Sequence, residues 1–67
     1  MMEIRLNGEN RTLEPEITLL QLIEDLGLDA RKVAVERNLE IVPKSTYGQV
    51  ALTAGDRIEI VEFVGGG

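Results

Sequence analysis

Gly65-Gly66-Gly67 is the stretch of this sequence whose composition points most directly to chemistry. Three residues without side chains follow an apolar segment carrying Val61, Phe63 and Val64, and they end in a carboxylate. Glycine has no Cβ and makes the narrowest possible thread. Three extended residues reach about 10 Å, enough to carry a carboxylate from a folded body into the catalytic channel of another protein. Ordering them costs about 3–6 kcal/mol, so the body's own surface must supply the recognition energy. Val61 and Phe63, with the adjoining Val64, are the candidates for that docking surface, and Glu59 and Glu62 would be its rim charges. The plain alternative for the glycines is a frayed end or a cloning remnant.

The other side chains offer little to an enzyme. The chain has no histidine and no cysteine, which leaves carboxylates, Lys32, Lys44 and Tyr47 as bases, and no pair of carboxylates is spaced to share a cleft. Catalytic residues are therefore expected to be absent. Asp25, Asp29 and Asp56 lack the alternating spacing of a calcium loop, so no metal site is expected either. Ser45-Thr46-Tyr47 has no base beside its hydroxyls and reads as turn chemistry with partial core filling. Gly8 and Gly55 read as turn glycines, because neither opens a helix after a glycine-rich run.

The elements that must carry the tail follow from periodicity. Met2, Ile4 and Leu6 alternate with charged residues as a half-buried strand, and Asn7-Gly8 is a hairpin turn leading to a returning strand over Arg11 to Glu14, stopped by Pro15. Thr18 and Gln21 form a capping box, with Ile17 and Leu22 as a hydrophobic staple. Leu19, Leu22, Ile23 and Leu26 then fall on one side of a helix of two to three turns that ends at Gly27. A third strand takes Val33 and Val35, and Asn38-Leu39 turns into a brief fourth strand at Glu40 to Val42, closed by Pro43. Lys44 to Leu52 reads as a loop with a helical turn. After Ala54-Gly55-Asp56, strict alternation returns in Arg57 to Ile60, with a tail from Glu62 onward. The expected fold is α+β, a mixed sheet of four to five strands covered on one face by one helix, in the β-grasp order. One domain spans 1–64, and 65–67 form a flexible tail.

Composition narrows the partners. A 67-residue chain is one small domain with one modest core, and its 43% hydrophobic content is that of a folding sequence. Seven basic residues among twelve acidic ones, for a net charge of −5, argue against nucleic acid and for a basic protein surface as partner. No signal peptide or membrane span is read from the sequence, so no membrane partner is expected. Without cysteine nothing points to an oxidising compartment, and the cytoplasm is the expectation.

Taken together, the Asn7-Gly8-Glu9 hairpin, Val33-Ala34-Val35-Glu36, Glu40-Ile41-Val42-Pro43, the Gly55-Asp56-Arg57 turn and the Gly66-Gly67 end resemble, along the whole chain, the ThiS sulfur carriers of thiamin biosynthesis. These belong to the ubiquitin-like β-grasp family. The resemblance implies a carrier rather than a catalyst. An E1-like adenylyltransferase of the ThiF type would use ATP and magnesium to activate the Gly67 carboxylate as an acyl-adenylate. Sulfur from a persulfide protein would convert that group to a thiocarboxylate, and thiazole synthase of the ThiG type would take the sulfur to build the thiazole ring. Gly65 and Gly66 would thread the partner's channel. ATP and magnesium belong to the partner, and no cofactor is bound by the carrier itself.

Three other readings stay open on sequence. The small subunit of molybdopterin synthase is similar in fold and tail, though usually longer and often with prolines before its final Gly-Gly, which Glu62-Phe63-Val64 lacks. A ubiquitin-like modifier would join Gly67 to target lysines, and a non-covalent β-grasp module would have no use for the tail.

Overall fold

The computed structural model describes residues 1–63; Val64, Gly65, Gly66 and Gly67, on which the expected tail chemistry and part of the expected docking surface fall, lie outside the described residues. Strand β1 (Met2–Leu6) turns at Asn7 and Gly8, both at positive φ (50° and 84°). This turn has the hand that suits a twisted hairpin. Because two residues suffice, Glu9 pairs with Leu6 at once, and β2 runs Glu9–Leu13 rather than the expected Arg11 to Glu14.

Helix α1 (Leu19–Asp25) begins as its sequence dictates. The Thr18 hydroxyl accepts from the Gln21 amide at 3.1 Å, and the Gln21 side chain accepts from the Thr18 amide at 2.9 Å. The two remaining amides of the first turn are satisfied from a distance: Leu19 N–H donates to Val50 O at 2.9 Å and Leu20 N–H to Tyr47 O at 3.0 Å. At the other end Gly27 (φ 77°) donates to Glu24 O, and Leu28 donates to Ile23 O. Both bonds of a Schellman cap are therefore present, in a conformation that would strain any residue with a Cβ.

The connection continues through a 3-10 turn, Ala30–Lys32, into β3 (Val33–Arg37). Asn38 and Leu39, at φ 52° and 72°, form a second two-residue turn into β4 (Glu40–Ile41). This strand is one residue shorter than expected, although Val42 N–H still bonds to Val35 O at 2.9 Å. β5 (Arg57–Glu62) extends past the expected end at Ile60, because Glu62 pairs with Val33 and Val61 with Ala34. The tail thus does not start at Glu62.

The sheet order is β2-β1-β5-β3-β4, with β1 and β5 parallel and every other pair antiparallel. This is the mixed β-grasp sheet that the sequence predicts. α1 lies on one face, where Leu19, Leu22 and Ile23 pack with Ile4, Leu6, Val33, Val35, Ile58 and Ile60. Tyr47 and Leu52 complete that core from the segment between β4 and β5. The stretch expected as a loop with a helical turn has that turn: a 3-10 turn at Lys44–Thr46 swings Tyr47 under the helix, where its hydroxyl donates to Val33 O at 3.2 Å. Burial pushes the Tyr47 pKa above its usual value.

Candidate functional site

β5 is the last strand before the glycines, so its two faces decide what the tail is attached to. Ile58 and Ile60 point into the core, at 0% and 8% exposure, whereas Val61 and Phe63 remain 60% and 45% exposed. The alternation of a strand places Val61 on the face away from the helix, as the sequence predicts. On that open face Val61 lies opposite Ala34, and Glu59 lies opposite Glu36, which in turn lies opposite Ile41 of β4. These five side chains line a shallow groove. Its walls are apolar, with exposed Ile41 and Val61, and its carboxylates have no ion-pair partner among the described residues. Glu62, expected as a second rim charge, is exposed but alternates onto the opposite face, across from Val33.

The root of the tail is tied down at Phe63. Its amide donates to Lys32 O at 2.8 Å, one residue beyond the last ladder pair, and Lys44 Nζ sits 5.0 Å from the centre of its ring. Lys44 Nζ also donates to Arg31 O at 2.8 Å. Lys32 and Lys44, weighed above as bases, thus enter the site through a backbone carbonyl and a cation–π contact. The 3-10 turn that supplies both carbonyls is itself capped: Arg31 N–H donates to Asp29 Oδ1 at 2.9 Å, and the Arg31 guanidinium bonds both Asp29 oxygens. The guanidinium, and then the backbone amide, hold the Asp29 pKa down to about 2.

Three polar residues that the sequence reading places at turns fix β5 in place. The Asn7 amide pairs with the backbone of Ile60, accepting from its N–H at 2.8 Å and donating to its carbonyl at 3.3 Å. Asn38 accepts from Arg57 N–H at 2.9 Å and donates to Asp56 Oδ1 at 3.1 Å. Asp56, 5% exposed, also accepts from Arg37 Nε at 2.9 Å, from Thr53 N–H at 2.9 Å and from the Thr53 hydroxyl at 3.0 Å. Burial alone would raise the Asp56 pKa, but these donors outweigh it and hold the carboxyl below its usual value. An asparagine opening a two-residue turn is legible in sequence, whereas its second bond to a distant strand is not.

The remaining carboxylates form no centre. Glu14, Glu16, Glu24 and Asp25 border a shallow depression beside the start of α1, and among the described residues no three acidic groups converge as a metal site would require. No described helix is long and apolar enough to cross a membrane.

The "ThiS family" model matches residues 4–67, which is nearly the whole chain. The chain belongs to the ThiS family. Among its relatives, the sulfur carrier protein ThiS of Bacillus subtilis is 42% identical, and the match covers 96% of this chain and 98% of that protein. Higher identity is found to part of a longer protein, the thiazole synthase of Paramagnetospirillum magneticum, at 58% over 98% of this chain. The thiazole synthase of Magnetococcus marinus follows at 50%. The chain spans about a fifth of the length of these two thiazole synthases. Its fold is similar to the crystal structure of the thiamine biosynthesis protein ThiS from Geobacter metallireducens, with a TM-score of 0.83 at 28% identity, covering 98% of this chain and all of that one.

Proposed function

We propose that this chain is a sulfur carrier for thiazole formation, a protein co-substrate rather than an enzyme. The observation that carries the reading is the end-to-end match to a sulfur carrier protein of nearly the same length. The chemistry of the residues agrees with it. With no cysteine in the sequence, sulfur has no side chain to ride on, which leaves the backbone carboxyl of Gly67 as the seat. A carboxylate resists nucleophiles until its oxygen becomes a leaving group, so activation comes first. An E1-like adenylyltransferase of the ThiF type forms the acyl-adenylate with ATP and magnesium, and the terminal sulfur of a persulfide protein displaces AMP to give an acyl disulfide. A thiol reductant cleaves that S–S bond to release the thiocarboxylate, and the thiocarboxylate gives up its sulfur to a thiazole synthase of the ThiG type. The similarity to a fifth of two thiazole synthases supports the last partner. The cytoplasm, where ATP and persulfide carriers are at hand, is the proposed compartment.

Gly65 and Gly66 thread the partner's channel, while Val61, Phe63 and Val64 dock on its surface. Val61, near the end of β5, and Phe63, just past it, are both exposed, so docking uses apolar area that folding leaves open.

Intact-mass spectrometry tests the class. Incubation with an E1-like adenylyltransferase, ATP, magnesium, a persulfide donor and a thiol reductant is expected to raise the mass by the replacement of one oxygen with sulfur, confined to the C-terminal peptide ending at Gly67. An unchanged mass sinks the carrier reading, and a stable adduct on lysines of a target makes the chain a modifier instead. The same spectrum of the native gene product shows whether Gly67 is its terminal residue; a chain that continues past Gly67 without processing also defeats the proposal.

Docking has its own test. Phe63→Asp places a charge in the apolar rim and is expected to raise the half-saturation concentration for the adenylyltransferase about 10-fold, the effect of losing roughly 1–2 kcal/mol of contact. Circular dichroism should show the fold intact, because Phe63 is outside the buried core. Loss of the folded state, or an unchanged half-saturation concentration, rejects Phe63 as a docking residue.

A further inference from the structure

We infer that Lys44 is a positioning residue for the chemistry at Gly67: it latches the root of the tail onto the 3-10 turn Ala30–Lys32, so that the chain leaves the body from a fixed point. The inference rests on the carrier reading above. Its basis is the convergence of three separate segments at Phe63. Arg31 O accepts from Lys44 Nζ at 2.8 Å, and the next carbonyl, Lys32 O, accepts from Phe63 N–H at 2.8 Å. The ammonium that reaches Arg31 also lies 5.0 Å from the centre of the Phe63 ring, a separation at which a cation is attracted by the ring's quadrupole. Backbone and side chain of the last described residue are therefore both held, from two adjacent carbonyls of one capped turn.

Nothing else accounts for Lys44 in this pose. It is exposed, no carboxylate among the described residues pairs with it, and it contributes nothing to the core. A lysine free in solvent loses rotamer entropy when its head is fixed, so the two contacts must offset that cost. The consequence lies downstream. A glycine tail is costly to order, and a mobile root adds further freedom to be lost before the acyl carbon reaches a catalytic channel. Holding Phe63 in advance removes that part of the cost, and it does so without contact between Lys44 and the reacting atoms.

The test compares wild type, Lys44→Met and Lys44→Arg as substrates of the E1-like adenylyltransferase, followed by thiocarboxylate formation. Lys44→Met keeps the aliphatic stem and loses both contacts; kcat is expected to fall about fivefold, the scale of a surface cation–π contact, while the half-saturation concentration and the melting temperature hold. Lys44→Arg keeps a cation over the ring and is expected to restore kcat. A partner-free reading comes from NMR: the ε-methylene protons of Lys44 should show the upfield shift of an aromatic face and lose it in Phe63→Leu. An unchanged kcat in Lys44→Met, an equal loss in Lys44→Arg, or the absence of the ring shift overturns the inference while leaving the carrier reading intact. Failure of the wild type itself to take up sulfur overturns the carrier reading and the latch with it.

Discussion

Thiocarboxylate formation is expected to fall more than about 100-fold when Gly66 is replaced by Phe or when Gly67 is deleted, with the melting temperature unchanged within about 3 °C. The two changes act for different reasons. A side chain at position 66 adds a Cβ and a ring to the segment that, under the proposed mechanism, passes through the partner's channel, where glycine's lack of a side chain would be the feature used. Deleting Gly67 leaves a terminal carboxylate of the same chemical type but withdraws it by one residue, about 3.5 Å, and a misplacement of even 1 Å costs about 100-fold in a positioned reaction. Among the described residues the packed core runs from Ile4 to Ile60. The measurement is single-turnover formation of the thiocarboxylate by intact mass, with thermal melts run in parallel. Turnover within a few fold of wild type in either variant would remove the threaded tail from the mechanism. A Gly66→Ala variant should fall between, since one methyl adds little width but restricts φ.

Much of this molecule could be read from local pattern, and the parts that could not share a physical cause. The Asn7-Gly8 turn, the Thr18 to Gln21 capping box and the glycine stop at Gly27 are set by residues within a few positions of one another, so sequence shows them directly. The exposure of Val61 follows from parity along β5 alone. In Lys44 to Leu52 only the helical turn and the core filling by Tyr47 are legible, because the rest of the conformation is imposed from outside: the amides of Leu19 and Leu20 draw the carbonyls of Val50 and Tyr47 against the helix, and Leu52 N–H donates to Ile17 O at 2.9 Å. No periodicity arises in a segment whose partners lie thirty residues away. The same holds at the candidate site. Phe63 was legible as an apolar residue near the end of the last strand, but the lysine beside it comes from a different turn and shows no sequence signal. Leu39 marks the limit of turn chemistry, since leucine at φ 72° is disfavoured and only the adjacent Asn38 betrays the turn.

Asp56→Asn is expected to destabilise the domain by about 2–4 kcal/mol, a large share of the roughly 3–10 kcal/mol available to a chain of this size. The carboxylate accepts from Arg37, Asn38 and both the amide and hydroxyl of Thr53. An asparagine must turn an NH2 group toward some of those donors, leaving them unpaired in a site where Asp56 is 5% exposed. Arg37→Met should cost less, about 1 kcal/mol, because the arginine side chain is 30% exposed and partly solvated, while the aspartate keeps its three other donors. The pH dependence has a definite sign. The folded-state pKa of Asp56 lies below its ordinary value of 3.8, so the stabilisation is complete above that value and is lost as pH falls through the lower folded pKa. Urea melts at pH 7 and across the acid range check both parts: Asp56→Asn should be much weaker at neutral pH, and the gap to wild type should narrow on acidification. The effect matters for function because Asp56 opens β5 and, through Asn38, ties it to the β3–β4 turn. Releasing that end should let β5 slip against β1 and β3, and since the same strand carries Val61 and the root of the tail, sulfur loading of the surviving folded fraction should fall with it.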